Sequence, residues 1–494
     1  MTRNLCILLI VLCGFAASAK PGFECLALHM PGPVTDVLAE NLDSDGIPDL
    51  IVAHGTDKGA SGTSARGISY FLSGLDGGFH APAVCYEALP SDILFDIADL
   101  ESDGRGELLL VRQDGITVYH LDENGAIGDQ EENVRIQPLL STGDPGCLPR
   151  IRFCHDWDMD SMPEIYVQAG SGIAVFSRES GAYALRCRLW SNPNFSWDEK
   201  DRSRYSIQMA ESMVSDFNGD GDVDFLNVNG TRLEVFLGRP GWTRGQGPAL
   251  IPPDWVWDLE PSPSVTNPLE KLFPPLMNLE VAHLDTDACA DVLLSLAPHG
   301  GFISMISQLQ IFMNRYGRLP VIPDLLAAEN LAGEHLLADI NGDGLTDIGM
   351  VNFKLSLFQA MRFFLTRKVR NVYEWYLMTP DLRYPKKPHA TLSVTRRPGL
   401  GELTQSTLCH SLEGDFNGDG IRDLLVGTDR DRFTVYTGNA AGLFSEKERF
   451  HLSAPFSNQI RIADFNGDGI SDMAVWYPNE EKAGSVSLLV SVKK

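Results

Sequence analysis

The chain has 494 residues, 44% of them hydrophobic and 9% aromatic, with 46 Gly and 29 Pro. That is enough apolar material for a packed core rich in turns, and it argues against a disordered chain. Acidic residues outnumber basic ones by 66 to 40, a formal net charge of −26, which argues against binding to nucleic-acid phosphates or to an anionic membrane and in favour of cations.

In chain order, the first segment has one positive charge at Arg3, an apolar run from Leu5 to Phe15, and Ala17-Ser18-Ala19 before Lys20. This pattern predicts a signal peptide over residues 1–19 and an exported mature chain that is secreted, periplasmic or at the cell surface. No later stretch of 18 apolar residues follows, so no membrane span is predicted in the mature chain. Seven cysteines remain after the leader (Cys25, Cys85, Cys147, Cys154, Cys187, Cys289 and Cys409) with no CxxC pair. They fit neither a dense disulfide framework nor a zinc site, and most are expected to be small buried apolar residues.

From residue 41 onward one acidic turn recurs eight times, starting at Asn41, Asp99, Asp156, Asp216, His283, Asp339, Asp415 and Asp464. The spacing is about 60 residues, a length that marks repeat architectures. Oxygen-bearing side chains sit at positions 1, 3, 5 and 9 of each turn. In order these are Asn41, Asp43, Asp45 and Asp49; Asp99, Glu101, Asp103 and Glu107; Asp156, Asp158, Asp160 and Glu164; and Asp216, Asn218, Asp220 and Asp224. The later copies are Asp339, Asn341, Asp343 and Asp347; Asp415, Asn417, Asp419 and Asp423; and Asp464, Asn466, Asp468 and Asp472. The fifth, with His283, Asp285, Asp287 and Asp291, has Ala288 where most copies have Gly, and the third has Ser161 there. The fifth is therefore expected to be the weakest site.

Each turn leads into a β-rich run, and a second strand-like segment recurs about twenty residues on. Examples are Ile68–Phe71, Ile116–Tyr119, Ile173–Phe176, Leu233–Phe236, Leu309–Phe312, Arg362–Leu365, Phe433–Tyr436 and Val486–Leu489. Strand, acidic turn, strand, strand, with room for a fourth, is the unit of a β-propeller. The fold predicted is all-β: a single propeller of about eight (alternatively seven) four-stranded blades over residues 20–494, with long insertions near 242–275 and 354–397. The last unit stops short of a fourth strand while Phe23–Met30 precedes the first turn without a partner. The N-terminal strand is therefore expected to complete the last blade and close the ring.

A hard divalent cation takes six to eight oxygens, and alternate positions of a tight turn direct them inward while Gly allows the bend. An EF-hand needs an acid at position 12, and here that position holds Val52, Leu110, Val167, Asn227, Leu294, Met350, Val426 and Val475, so the EF-hand is rejected. The competing reading is a purely structural Asn-Gly or Asp-Gly turn without metal. Against it, positions 1, 3, 5 and 9 of the eight turns hold 26 acids, equal to the whole formal excess of negative charge. Carboxylates packed so closely repel one another unless a cation intervenes. Several Ca²⁺ ions, one per intact loop, are expected as cofactors.

The run Asp415-Phe-Asn-Gly-Asp-Gly-Ile-Arg-Asp-Leu-Leu-Val426 resembles the FG-GAP/VCBS repeat of integrin-α-like propellers and of many bacterial exported proteins. The resemblance implies calcium ligands at positions 1, 3, 5 and 9 with a backbone carbonyl at position 7. The Phe-Gly and Gly-Ala-Pro signatures of integrin repeats are mostly missing, so an adhesion role does not follow from it.

No G-x-S-x-G, H-E-x-x-H, Walker A or Rossmann fingerprint occurs. The leading expectation is a non-catalytic binding or scaffold propeller that contacts protein or carbohydrate through its face loops. The alternatives are a secreted enzyme acting on polysaccharide, a lyase or hydrolase, and an adhesion component with a partner subunit. The basic stretch 354–397, with Tyr373, Trp375, Tyr376 and Tyr384, is either a sugar- or partner-stacking surface or an arm whose aromatics pack on their own blade.

Overall fold

The computed structural model describes residues 22–492, apart from 56–65, 75–78, 80–83, 122–126, 142–145, 171, 180, 198–204, 239–249, 260–275, 298–306, 329–334, 353–362, 364, 398–408 and 479–482. The signal peptide predicted over 1–19 lies outside the described residues. Eight antiparallel sheets form the ring. From the innermost strand outward, blade 1 consists of Val34–Glu40, Asp49–Gly55, Arg66–Phe71 and Val84–Ala88, and blade 2 of Asp92–Ala98, Glu107–Arg112, Gly115–Leu121 and Ile127–Arg135. Blade 3 has Cys154–His155, Glu164–Ala169, Gly172–Glu179 and Ala182–Trp190, and blade 4 has Glu211–Ser215, Asp224–Asn229, Arg232–Phe236 and Trp255–Asp258. Blades 5 and 6 are Leu276–Ala282, Asp291–Ala297, Ser307–Phe312 and Asp324–Ala328, then His335–Ala338, Asp347–Asn352, Val369–Tyr376 and Ala390–Arg396. Blade 7 is His410–Ser411, Leu424–Asp429, Arg432–Tyr436 and Arg449–Ser453, and blade 8 begins with Gln459–Ala463, Asp472–Trp476 and Ser485–Val492.

The fourth strand of blade 8 is Gly22–His29, paired antiparallel to Ser485–Val492 along its whole length. The predicted closure is therefore present, with eight blades. Phe23 from this strand reaches the rings of Phe416 and Phe450 in blade 7, at 6.5 and 6.3 Å between centroids. The first and last blades also share one core, in which Val34, Val37 and Val52 pack against Phe465, Trp476 and Leu488.

The core lies between blades. Second strands such as Asp49–Gly55 and Glu164–Ala169 are buried along their whole length, because a neighbouring blade covers each face, and so they read as continuous apolar runs rather than alternating ones. Four of the cysteines, Cys154, Cys187, Cys289 and Cys409, are buried, and three of them join apolar clusters.

Two sequence expectations are corrected. In blade 6 the third strand is Val369–Tyr376, whereas Phe363, Leu365 and Thr366 are helical. The Phe-Phe-Leu run matched a strand by composition, but the alternation that packs inward lies downstream, and buried Phe363 instead sits 5.7 Å below the Arg367 guanidinium. The basic stretch is thus no projecting arm over 369–396: it supplies the two outer strands of blade 6. Tyr373, Trp375, Tyr376 and Tyr384 are all buried, three of them under 5% exposed, which removes them as a sugar-stacking platform. Likewise, in the stretch 242–275, Trp255–Asp258 is the outer strand of blade 4, and Leu250–Ile251 adds a fifth, parallel strand to blade 3.

Candidate functional site: a belt of acidic loops

Every acidic turn joins the first strand of a blade to its second. Position 9 is therefore the first residue of the second strand or immediately precedes it, and position 2 follows the innermost strand. Position 2 is a buried plug in all eight blades (Leu42, Leu100, Trp157, Phe217, Leu284, Ile340, Phe416, Phe465), each contributing about 1.5–3 kcal/mol by burial. Position 9 is buried in all eight as well. One of its oxygens accepts the N–H of position 2, at 2.7 Å from Leu42 to Asp49, 2.9 Å from Phe217 to Asp224 and 2.9 Å from Phe416 to Asp423. In five blades its other oxygen accepts an N–H just beyond the third strand, from Ser73, Gly238, Asn314, Met378 and Gly438, and in blade 8 one from Ser491 near the end of that strand. Position 9 is thus a brace between strands, and one lone pair per oxygen remains for any further partner.

The rest of the turn wraps around position 1. In blade 7 the Asp415 carboxylate accepts N–H bonds from Gly418 at 2.7 Å and Gly420 at 2.7 Å, and Asp419 Oδ1 accepts from Ile421 at 2.9 Å. Blades 4 and 6 repeat this around Asp216 and Asp339. Such wrapping needs left-handed backbone at positions 4 and 6, supplied by Gly418 and Gly420 at φ 72° and 81°. Position 4 was not singled out from sequence. Ser44, Ser102 and Met159 occupy it in blades 1 to 3 at φ 65°, 56° and 57°. Ser161, doubted for lacking Gly's freedom, adopts φ 70° at position 6. Each such side chain costs about 1–2 kcal/mol.

The loops touch around the ring. Ser471 of loop 8 donates its N–H to the Asp415 carbonyl at 2.8 Å, and its hydroxyl accepts the Asp415 N–H at 3.0 Å. Thr346 of loop 6 bonds the carbonyls of Leu284 and His283 in loop 5. Asp43 of loop 1 bridges to Arg105 of loop 2. The acids thereby form a belt on one face of the propeller.

Among the described residues, two groups bring three ligand-type atoms within 4.8 Å of one another: Asp156, Asp158 and Glu164 in loop 3, and Glu101, Glu107 and His120 around loop 2. His120, on the third strand of blade 2, carried no signal in the turn motif. Its Nδ1 lies 3.7 Å from Glu107, while Arg178 of blade 3 pairs with Glu101 and Glu132. The turns of blades 4, 6, 7 and 8 do not gather three carboxylates so closely; their oxygens are turned onto their own backbone and, in loops 4, 6 and 7, onto the position-3 amide. In loop 8 the Asn466 amide and Asp468 instead engage Ser491.

Two oxygens test whether this donor set suits a cation. Asn41 Oδ1, at position 1 of loop 1, and Asp158 Oδ1, at position 3 of loop 3, are buried with no hydrogen-bond partner. Burial also lifts every position-9 acid despite its backbone bonds: Asp49 and Asp347 to about 6, Asp224, Asp291, Asp423, Asp472 and Glu107 to about 7, and Glu164 to about 8. An all-oxygen set with buried, unpartnered atoms and carboxyls that resist ionisation fits a hard divalent cation. Loop 5 does not fit. Arg315, just past the third strand of blade 5, places Nη1 2.9 Å from Asp285 and 3.4 Å from Asp287, so a guanidinium stands among the acids. Neither Thr286 nor Ala288 takes positive φ.

Residues 415–475, which span loops 7 and 8, match the family model described as FG-GAP-like repeat. No curated protein matches the sequence. Among solved structures, the chain is similar to an Agrocybe aegerita lectin with specific recognition of non-reducing terminal N-acetylglucosamine (14% identity, 92% of this chain and 99% of that one, TM-score 0.43). It is also similar to the V. cholerae biofilm matrix protein Bap1 (14% identity, 96% and 89%, TM-score 0.33) and to the Dos1 propeller (11% identity, 95% and 94%, TM-score 0.42). These are distant likenesses and carry nothing about ligands. The chain is an eight-bladed β-propeller carrying the FG-GAP-like repeat.

Proposed function

We propose that this protein is an exported, calcium-stabilised propeller that acts without catalysis, by binding a protein or carbohydrate partner through its surface loops. The observation that carries the calcium reading is the pair of buried, unpartnered oxygens, Asn41 Oδ1 and Asp158 Oδ1, inside a donor set repeated around the ring. Calcium bound there would take such oxygens as ligands and relieve the repulsion among carboxylates, adding its binding free energy to folding. The export leader expected over residues 1–19 would fit this role, since extracellular calcium sites commonly bind at about 10⁻⁴–10⁻³ M. The non-catalytic reading is supported by the position-9 acids, which hold backbone N–H groups instead of facing a cleft.

The test is thermal unfolding of the purified protein in EDTA and in millimolar calcium. At a hundred times Kd a single site adds about 2.7 kcal/mol, so a rise of several degrees is expected on adding calcium. An unchanged melting temperature overturns the reading.

A further inference from the structure

Propeller blades fan outward from the axis, so neighbours that touch near the centre diverge towards the rim. Between blades 6 and 7 the outer strand of blade 6 meets the second strand of blade 7 through apolar side chains, with Leu392 and Val394 against Leu424 and Val426. Further out the wedge opens into a groove of about 370 Å³ whose lining reverses the charge of the molecule. Lys368, Arg397, Arg432, Arg449 and His451 face two acids, Asp429 and Glu446, in a chain of net charge −26. Arg397 reaches Asp429 only at 3.7 Å, and Arg449 bonds the neutral Tyr436.

The floor between these cations is a row of hydroxyls. Thr428 and Thr434 share a 2.7 Å bond, Thr434 lies 3.1 Å from His451 Nδ1, and Ser393 accepts from Arg370 at 2.7 Å on the opposite wall. The walls are pinned together: Arg396 Nε donates to the Gly427 carbonyl at 2.8 Å, and the Arg397 N–H to that of Thr428 at 2.9 Å. The groove is therefore held open by blade–blade hydrogen bonds before any ligand arrives, which lowers the ordering cost of binding.

Arg449 stands opposite Tyr436 and four residues along the strand from Arg432, so the two cationic ends are about 13 Å apart at ~3.3 Å per residue. An extended polyanion can follow a row of cations anchored at that backbone spacing. Tyr436 lines the groove but is 3% exposed, so its ring offers no open face for nucleobases to stack on, whereas a hydroxyl row matches the hydroxyls of a sugar chain.

We propose that this groove binds an anionic oligosaccharide, with oxyanions of sulfate esters or uronates at the cationic ends and sugar hydroxyls along Thr395 and Ser393. It deepens the binding role proposed above and rests on that reading, but uses no residue of the acidic belt. The belt would repel the same ligand and so direct it to the rim.

The experiment uses full-length, calcium-loaded protein and fluorescent dextran sulfate, polygalacturonate, polyglutamate and uncharged dextran. The proposal expects one or both acidic sugars to bind, with the tighter identifying the oxyanion, and uncharged dextran not to bind. Lys368→Glu with Arg432→Glu weakens binding roughly tenfold or more without moving the melting temperature, since both are exposed. Thr395→Val weakens the sugars severalfold while leaving the groove's charge intact. Arg135→Glu on blade 2 changes affinity less than about twofold. Equal weakening by Arg135→Glu, polyglutamate binding as tight as the sugars, or no polyanion bound overturns the proposal. The calcium-dependent melting shift, read on the same samples, separates this outcome from failure of the calcium reading.

Discussion

Blades 7 and 5 place the same nine-residue turn at the same point of the same sheet. In blade 7, Asp415, Asn417 and Asp419 wrap their own backbone through two left-handed glycines, Gly418 and Gly420. In blade 5, His283 replaces the first acid, both left-handed residues are missing, and Arg315 brings a guanidinium to Asp285 and Asp287. What the two share is the brace: Asp423 and Asp291 each hold the position-2 N–H and one beyond the third strand. The comparison separates two jobs within one motif. Position 9 builds the blade, and positions 1, 3 and 5 are those to which the calcium proposal gives the cation.

The largest effects should come from the shared job. Asp423→Ala and Asp291→Ala each strand two backbone N–H groups, at about 1–3 kcal/mol apiece, so denaturant unfolding in EDTA should show similar losses of about 2–5 kcal/mol. A loss confined to one blade breaks the comparison. Arg315→Gln should come next, at about 1–2 kcal/mol, discounted because the arginine is part-exposed; calcium should restore some of that loss. Asp415→Asn should remove about 1 kcal/mol of the calcium-dependent stabilisation and His283→Asn none, read as the difference between melts in calcium and EDTA. A further contrast is in titration. A carboxyl raised to about 7 when folded protonates there more readily than in the unfolded chain, so in EDTA it contributes stability present at pH 4 and lost as pH rises towards 7. Calcium should move the Asp423 midpoint down and leave that of Asp291 near 7, as followed by carboxyl NMR.

Much of this was legible in the sequence because the repeat states it eight times. The propeller class, the closing N-terminal strand and the location of each turn follow from spacing and from the unpaired ends, whereas the choice of eight blades over seven is made by the sheet topology. The weakness of the fifth turn was visible in His283 and Ala288, but its cause was not, since Arg315 lies 24 residues beyond Asp291 and only strand pairing brings it back. His120 was hidden for the same reason. Position 4 was legible in the four Asn-Gly-Asp-Gly copies and obscured elsewhere, because Ser44, Ser102 and Met159 take up the strained conformation that Gly takes freely. The aromatics of 373–384 were left between a binding surface and an arm packed on its own blade, and the second is nearer the mark, because composition cannot tell an outer blade strand from an exposed arm. The basic groove has cationic residues from two blades, far apart in sequence, and no local pattern marks it.

The most direct test is the number of calcium ions retained per chain, measured by native mass spectrometry. Paired substitution of Asp415→Asn with Asp419→Asn should lower the count by one, and Asp285→Asn with Asp287→Asn should leave it unchanged. A protein that retains no calcium, or that loses an ion on the blade 5 substitutions and none on those in blade 7, contradicts the account.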